Sequence, residues 1–319
     1  MASSSASPPA DNNDDSKSLV RLGVGSFGAV YVINGGPVAY KQVHQPAQAP
    51  VLLAEYKTLN KIYEHCKPDS FFDLPRALAY NNPLLEHDVR PIVTSGVISI
   101  FPTATNAMDR VHALPLDIRS FIKNHFFLPS VREGPLLCRQ YFGKVFPPRS
   151  APPKFVNNEN FPLDVHRYEL LSSRLPALPR AQDVAAGMGE MLGIMHNLAG
   201  VDARDAEFVL GGDGAGGCTI FTIDFNQASQ PIWHLVREWS KAVEDVGELV
   251  QAFFVNDPYY PRSRPDEPLY EAFEEAYLQQ YDAEMMPVGL PFLRAIEQEQ
   301  AARDERAKCV SVKTTELLP

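Results

Sequence analysis

The run Leu22-Gly23-Val24-Gly25-Ser26-Phe27-Gly28-Ala29-Val30-Tyr31-Val32, followed across a turn by Ala39-Tyr40-Lys41, constrains this chain more than any other stretch. Three closely spaced glycines let the backbone approach a neighbouring group with no Cβ in the way. The residues after Gly28 are β-branched and aromatic, with Val30 and Val32 alternating, so the chain leaves the glycines as a strand. A dinucleotide-binding turn would enter a helix at this point, and that reading fails. Asn34-Gly35-Gly36-Pro37 is a strong turn signal that places Lys41 on the next strand. The plain alternative is a glycine-bearing hairpin with a solvated lysine.

Strands are expected near 18–24, 28–34 and 37–43, and a helix near 50–65, where Leu52, Tyr56, Leu59 and Tyr63 recur at helical spacing. Glu55 lies within that helix. A glycine hairpin, a strand lysine and a helix glutamate resemble the opening of a protein-kinase-like fold, in which the glutamate aims the lysine at phosphates. The alternative for Glu55 is a solvated helix position. Leu74–Tyr80 and Met108–Val111 read as further strand material, the second as a hinge. Beyond the hinge the chain reads as helical: Ile118–Phe127, then a helix interrupted by the Pro-rich passage Pro147–Pro162, then Gln182–Leu198, and helices near 232–251, 268–280 and 291–306. In Gln182–Leu198, Val184, Met188, Met191, Leu192 and Met195 form one stripe, with the methionines as core filler.

That long helix runs into an acidic loop, Val201-Asp202-Ala203-Arg204-Asp205-Ala206-Glu207, then glycines, then Thr219–Asn226 with Asp224-Phe225 at a strand end. In kinase-like chains a catalytic aspartate, a metal-binding asparagine and an Asp-Phe-Gly element occupy these places. Here Asp202 falls at the first, Glu207 replaces the asparagine, and Asn226 replaces the glycine. The residues before Asp202 are Gly200 and Val201, not the usual His-Arg. Four carboxylates (Asp202, Asp205, Glu207 and Asp224) are expected to converge. Like charges held together raise one another's pKa values or gather a cation. That cation is Mg²⁺ or an organic guanidinium gripped by paired hydrogen bonds. The alternative is a pair of loop-capping acids with Arg204 bound to one. Asn256-Asp257-Pro258-Tyr259-Tyr260-Pro261-Arg262 reads as a rigid packed connector, or as an aromatic surface for a base.

Taken together, GVGSFGAVYV, GGPVAYKQV, PRALAY, AMDRV, LCRQYFGK, FPLDVHRY, MGEMLGIMH, DARDAEFVLGG, IDFNQ and NDPYYPR resemble a kinase-like fungal family that includes the arginine-containing cyclodipeptide synthases. The resemblance spans residues 18 to about 298. It implies an α+β, bilobal protein-kinase-like fold: a small antiparallel β-sheet lobe with one helix (18–111) and a larger, mostly helical lobe (112–307), with tails at 1–17 and 308–319. It implies an enzyme of secondary metabolism that joins arginine to a second amino acid as a cyclic dipeptide, drawing both from aminoacyl-tRNA. Such chemistry needs a base for the attacking amine, a guanidinium pocket and positioning of two tRNA ends. Asp202, Asp205 and Glu207 are the expected catalytic acids. Asp224, Asn226, Lys41, Glu55, Gly25, Lys144 and Arg149 are the expected substrate-binding residues. Neither a metal nor a cofactor is implied. Under the alternatives, an atypical kinase-like phosphotransferase would use Mg²⁺-ATP, and a pseudokinase-like binder would turn nothing over.

The bulk numbers leave room for this. A net charge of −10 argues against general nucleic-acid avidity and against DNA as a partner. Charge is unevenly spread, however: residues 118–158 carry seven Lys or Arg and one acid, Glu133, while 201–300 carry nineteen acids and six bases. The basic stretch (Arg119, Lys123, Arg132, Arg139, Lys144, Arg149, Lys154) is either a tRNA-backbone surface or a solvated face. Cys66, Cys138, Cys218 and Cys309 are scattered, which supports neither a disulfide framework nor a zinc site and fits the cytoplasm. The first seventeen residues read as a disordered tail, not a signal peptide, and no apolar run has membrane length.

Overall fold

The computed structural model describes residues 18–85, 97–146, 160–227, 246–284 and 286–316, with side chains to 309. The expected tail at 1–17, most of the Pro-rich passage, Arg149, Lys154 and most of the expected 232–251 helix lie outside the described residues.

Strands β1 (Leu19–Val24), β2 (Gly28–Ile33), β3 (Val38–Val43), β4 (Ala77–Asn81) and β5 (Thr105–Asp109) form one antiparallel sheet in the order β1-β2-β3-β5-β4. Lys41 sits on the central strand, opposite Val30 on one side and Asn106 on the other. The first three strands lie where alternation and turn residues put them. β5 starts earlier than expected and ends at Asp109, because Arg110 turns away to hydrogen bond the Pro37 carbonyl at 2.9 Å. A Cβ at Gly28 would meet the Gln42 carbonyl oxygen at 2.3 Å, so this glycine is required by the closeness of β3. At Gly25 the nearest atom would be 3.9 Å away.

Helix α1 (Ala49–His65) joins two cores. Its first half, through Ala49 and Leu52, packs with Val43, Tyr80 and Ala104 against the sheet. Its second half, through Leu59 and Ile62, enters the main core with Phe72, Met195 and Phe208. Glu55 lies between these halves and is buried. The sheet's other face is closed by Ile98 and Phe101 against Tyr40, Ala79 and Ala107.

The rest of the chain is helical around a second sheet that the sequence did not announce in full. Strands β6 (Leu137–Gln140), β7 (Asn160–Leu163), β8 (Glu207–Gly212) and β9 (Cys218–Ile223) align as β7-β6-β8-β9, with β6 and β7 parallel. Only β8 and β9 were expected. Pro162 marks β7 as a breaker in sequence, yet β7 is an edge strand, where a missing N–H is tolerated. Helices α2 (Leu116–Phe126), α3 (Val165–Ser172), α4 (Ala181–Gly193), α5 (Gly247–Val255), α6 (Pro268–Leu278) and α7 (Met286–Glu316) complete the described elements. α4 continues through a wider π turn, Ile194–Leu198, toward the acidic loop. α4 and α6 lie backbone to backbone: a Cβ at Gly189 would meet the Phe273 carbonyl oxygen at 2.0 Å. Met188, Met191 and Met195 are fully buried there, as core filler.

α7 starts before the expected 291 and runs past 306 to Glu316. Pairs Arg303–Glu299 (2.8 Å) and Lys308–Glu305 (2.7 Å) one turn apart favour its continuation. No helix among the described residues is long and apolar enough to cross a membrane.

Candidate functional site

Lys41 is the hub. Its Nζ lies 2.7 Å from Glu55 Oε1 and 2.7 Å from Asp224 Oδ1, drawing together the first sheet, α1 and the residue after β9. The Phe27 ring of the glycine turn lies 5.5 Å from the same ammonium. Burial opposes the lysine's charge, but Glu55 and Asp224 outweigh it and hold its pKa above the ordinary value. Burial raises the Glu55 carboxyl despite that lysine. Asp224 is placed by β9, which is itself pinned by Asp73: the Asp73 amide donates to Ile220 and the Asp73 carbonyl accepts from Thr222, both at 3.0 Å. Asn226 Nδ2 donates to Asp224 Oδ1 at 2.9 Å, so it orients the acid.

Glu207 opens β8 and is 9% exposed. Its Oε1 lies 2.7 Å from Arg139 of β6. Burial, with Asp224 and Asp205 adding, pushes its carboxyl up to about 7, and Arg139 opposes the rise. A carboxylate with that pKa can take up and release a proton near neutral pH. Tyr259 lies beside this pair, and its ring meets Tyr141 edge-on at 5.0 Å. Arg139 Nη1 also donates to the Tyr141 hydroxyl at 3.4 Å.

Asp205 is half-buried, and its Oδ2 accepts from Gln227 Nε2 at 2.9 Å. Burial and Asp224 raise its carboxyl. Asp205, Glu207, Asp224 and Glu55 therefore lie within electrostatic reach of one another, with Lys41 and Arg139 among them.

Asp202 does not join them. Its Oδ1 accepts from the Arg204 amide at 3.1 Å, and its Oδ2 lies 3.7 Å from Arg204 Nε. The charges that act on it are Arg204 and Glu248, and burial raises its pKa. Of the four acids expected to converge, Asp202 is held by Arg204, while Glu55 is the further carboxylate on Lys41. The capping role considered for Asp202 is what its contacts describe. The reason is local, since an aspartate two residues before an amide closes a turn onto it.

The other expected binding residues divide. The Gly25 amide donates to the Gly28 carbonyl at 2.9 Å, and its own carbonyl lies 2.8 Å from His44 Nε2, so the turn holds itself. Lys144 is exposed, with its ammonium 5.0 Å from the Phe146 ring. The basic stretch is not one surface, because Arg139 turns inward to Glu207 and Arg119 is held by Glu133 and the Gly134 carbonyl. Gln227 at this site was missed by sequence reasoning, and Arg139, Asn256 and Tyr259, each singled out for another role, were not placed here. Arg139 had been counted with the surface charges. Its signal was its place in Leu137-Cys138-Arg139-Gln140, where a charge alternates with buried residues.

A family model named DUF3669 and described as a zinc finger protein matches residues 220–285, a minor part of the chain that carries Asp224, Asn226, Asn256 and Tyr259. No curated protein and no solved structure matches the chain. Zinc does not fit these residues: the matched stretch holds no cysteine and one histidine, His234, whereas structural zinc takes four Cys or His ligands. Among the described residues no three His, Cys, Asp or Glu side chains are placed to hold one metal ion.

Proposed function

We propose that this chain is an arginine-containing cyclodipeptide synthase built on a bilobal, protein-kinase-like scaffold, using arginyl-tRNA and a second aminoacyl-tRNA. Support for the scaffold comes from the Lys41–Glu55 pair beneath a glycine hairpin and from Asp224 after β9. The observation that carries the substrate reading is the charge balance around Lys41. Four carboxylates face two cations, and both cations are already committed, Lys41 to Glu55 and Asp224, Arg139 to Glu207. A polyanionic triphosphate meets net repulsion in such a field, whereas a guanidinium or an ammonium is drawn in.

The reaction consumes two aminoacyl esters and yields one cyclic dipeptide and two free tRNAs. In each bond-forming event an amine nitrogen binds an ester carbonyl carbon and the tRNA 3′ oxygen leaves. The amine's proton passes to Glu207, whose carboxyl near pKa 7 suits it to accept that proton and return it to the departing oxygen. Asp205 and Asp224 attract the arginine side chain. Asp202, bound to Arg204, supports the loop.

The test is expression in a microbial host with mass spectrometry of the medium for a new cyclic arginine dipeptide, wild type against Glu207→Gln. Absence of product from folded wild-type protein sinks the reading. The short Lys41–Glu55 contact favours one other reading, a phosphotransferase. Under it, Mg²⁺-ATP raises the thermal midpoint of the purified protein and no cyclic dipeptide forms.

A further inference from the structure

The segment Asn256–Tyr260 packs against the site from behind. Asn256 caps the C-terminus of α5 and is buried. Its Nδ2 donates to the Ala203 carbonyl at 2.6 Å, and its Oδ1 accepts from the Asp205 amide at 2.6 Å. These two bonds grip the acidic loop on either side of Arg204. Ala203 and Asp205 adopt φ of 56° and 65°, the left-handed region that residues with a Cβ disfavour. Such a conformation persists only where surrounding contacts over-determine it. The two bonds are the shortest of the contacts on this loop, beside the Ala206 amide on the Ala203 carbonyl (3.1 Å), the Arg204 amide on Asp202 (3.1 Å) and Gln227 on the Asp205 carboxylate (2.9 Å).

We propose that Asn256 is the positioning residue of the acidic loop, holding Ala203 and Asp205 left-handed so that the Asp205 carboxylate stays within electrostatic reach of Asp224 and Lys41. The proposal rests on the functional reading above. An asparagine is the right side chain because the loop offers one acceptor and one donor, and a single short amide meets both. The same segment also reaches the other half of the site. The Pro258 and Tyr259 carbonyls accept from the Gly143 and Phe142 amides at 2.9 and 3.0 Å. That fixes the chain just after β6, the strand that carries Arg139. A Cβ at Gly143 would meet the Tyr260 carbonyl oxygen at 2.4 Å, so the two segments fit without slack. One connector thereby sets Asp205 through its asparagine and the Arg139–Glu207 pair through its backbone.

The experiment measures cyclic dipeptide formation by wild type, N256A, N256D and the double variant N256A/A203G. It also follows hydrogen exchange at the Asp205 amide, with circular dichroism as the folding control. N256A lowers kcat/KM on the order of a hundredfold, because the loop acid that attracts the arginine side chain is misplaced. N256D gives the same direction in a nearly isosteric side chain, since it loses the donor to the Ala203 carbonyl; it carries the test if N256A does not fold. A203G restores roughly tenfold of the lost kcat/KM in the double variant, because glycine adopts the left-handed conformation unaided. Unchanged kcat/KM or no recovery with A203G overturns the proposal. If folded wild type makes no cyclic dipeptide, the functional reading has failed separately. The clamp is then judged on exchange: faster exchange at the Asp205 amide in N256A upholds it, and unaltered exchange overturns it.

Discussion

Around Lys41 the charges are closed on one another, with two carboxylates at 2.7 Å from a single ammonium and Asn226 bracing one of them. Along Asp202–Glu207 the arrangement is different. Asp202 turns back on Arg204, and Glu207 keeps a carboxyl near pKa 7 beside Arg139. The first region spends its electrostatics on joining the first sheet, α1 and β9. The second keeps a group whose proton is easily exchanged. The difference teaches that the lysine here is architectural in its contacts, and that the group whose proton exchanges near neutral pH lies on the strand the loop feeds.

The sharpest break of that comparison comes from removing Lys41. Lys41→Met leaves Glu55 buried without its cation and costs about 3 kcal/mol or more of stability at neutral pH. The loss shrinks as pH falls through the carboxylate range, since a protonated Glu55 needs no counter-charge; thermal melts at several pH values check this. A Lys41→Met protein that melts like wild type at every pH would show the triad to be dispensable.

Next in size is the contrast between two acids of the loop. Glu207→Gln lowers kcat by on the order of a hundredfold or more, the usual cost of losing a general base. Asp202→Asn, which keeps its acceptor toward the Arg204 amide, costs far less. Equal losses in single-turnover assays would return Asp202 to the centre of the chemistry.

Within the glycine turn, Gly28→Ala destabilises by about 1–3 kcal/mol, as an overpacked contact against Gln42 does. Gly25→Ala, with open space at its Cβ, leaves the chemical-denaturation midpoint nearly unmoved. Reversal of that order would mean that β2 and β3 are not as close as described.

The smallest effect is a pH shift. A base must be unprotonated, so kcat/KM falls as pH drops through about 7 in wild type. Arg139 favours the Glu207 carboxylate, so Arg139→Met moves that acid limb upward, by about one pH unit. Asp205→Asn removes a like charge and moves it downward. Limbs that stay fixed in both variants would assign the titration to another group.

Much of the first region was legible because its signals are local. The hairpin glycines, the Asn34–Pro37 turn and the stripe of α1 each follow from residues a few positions apart, and Lys41 and Glu55 come with those elements. The acidic run before β8 and Asp224 after β9 were legible for the same reason. β6 and β7 were not: one is four residues long, the other holds Pro162, and each is stabilised only by its neighbours.

By itself the sequence determined the first three strands, α1 and the acidic run before β8, and that acids would gather there. Tertiary structure alone decided which acids. It took Arg139 out of a basic stretch and set it on Glu207, turned Asp202 toward Arg204, and brought Asn256 under a loop some fifty positions earlier. The reason is that periodicity reports the face a side chain occupies within its own element. A charge's partner, its burial and hence its pKa depend on which elements meet across the core, and no local pattern encodes that meeting.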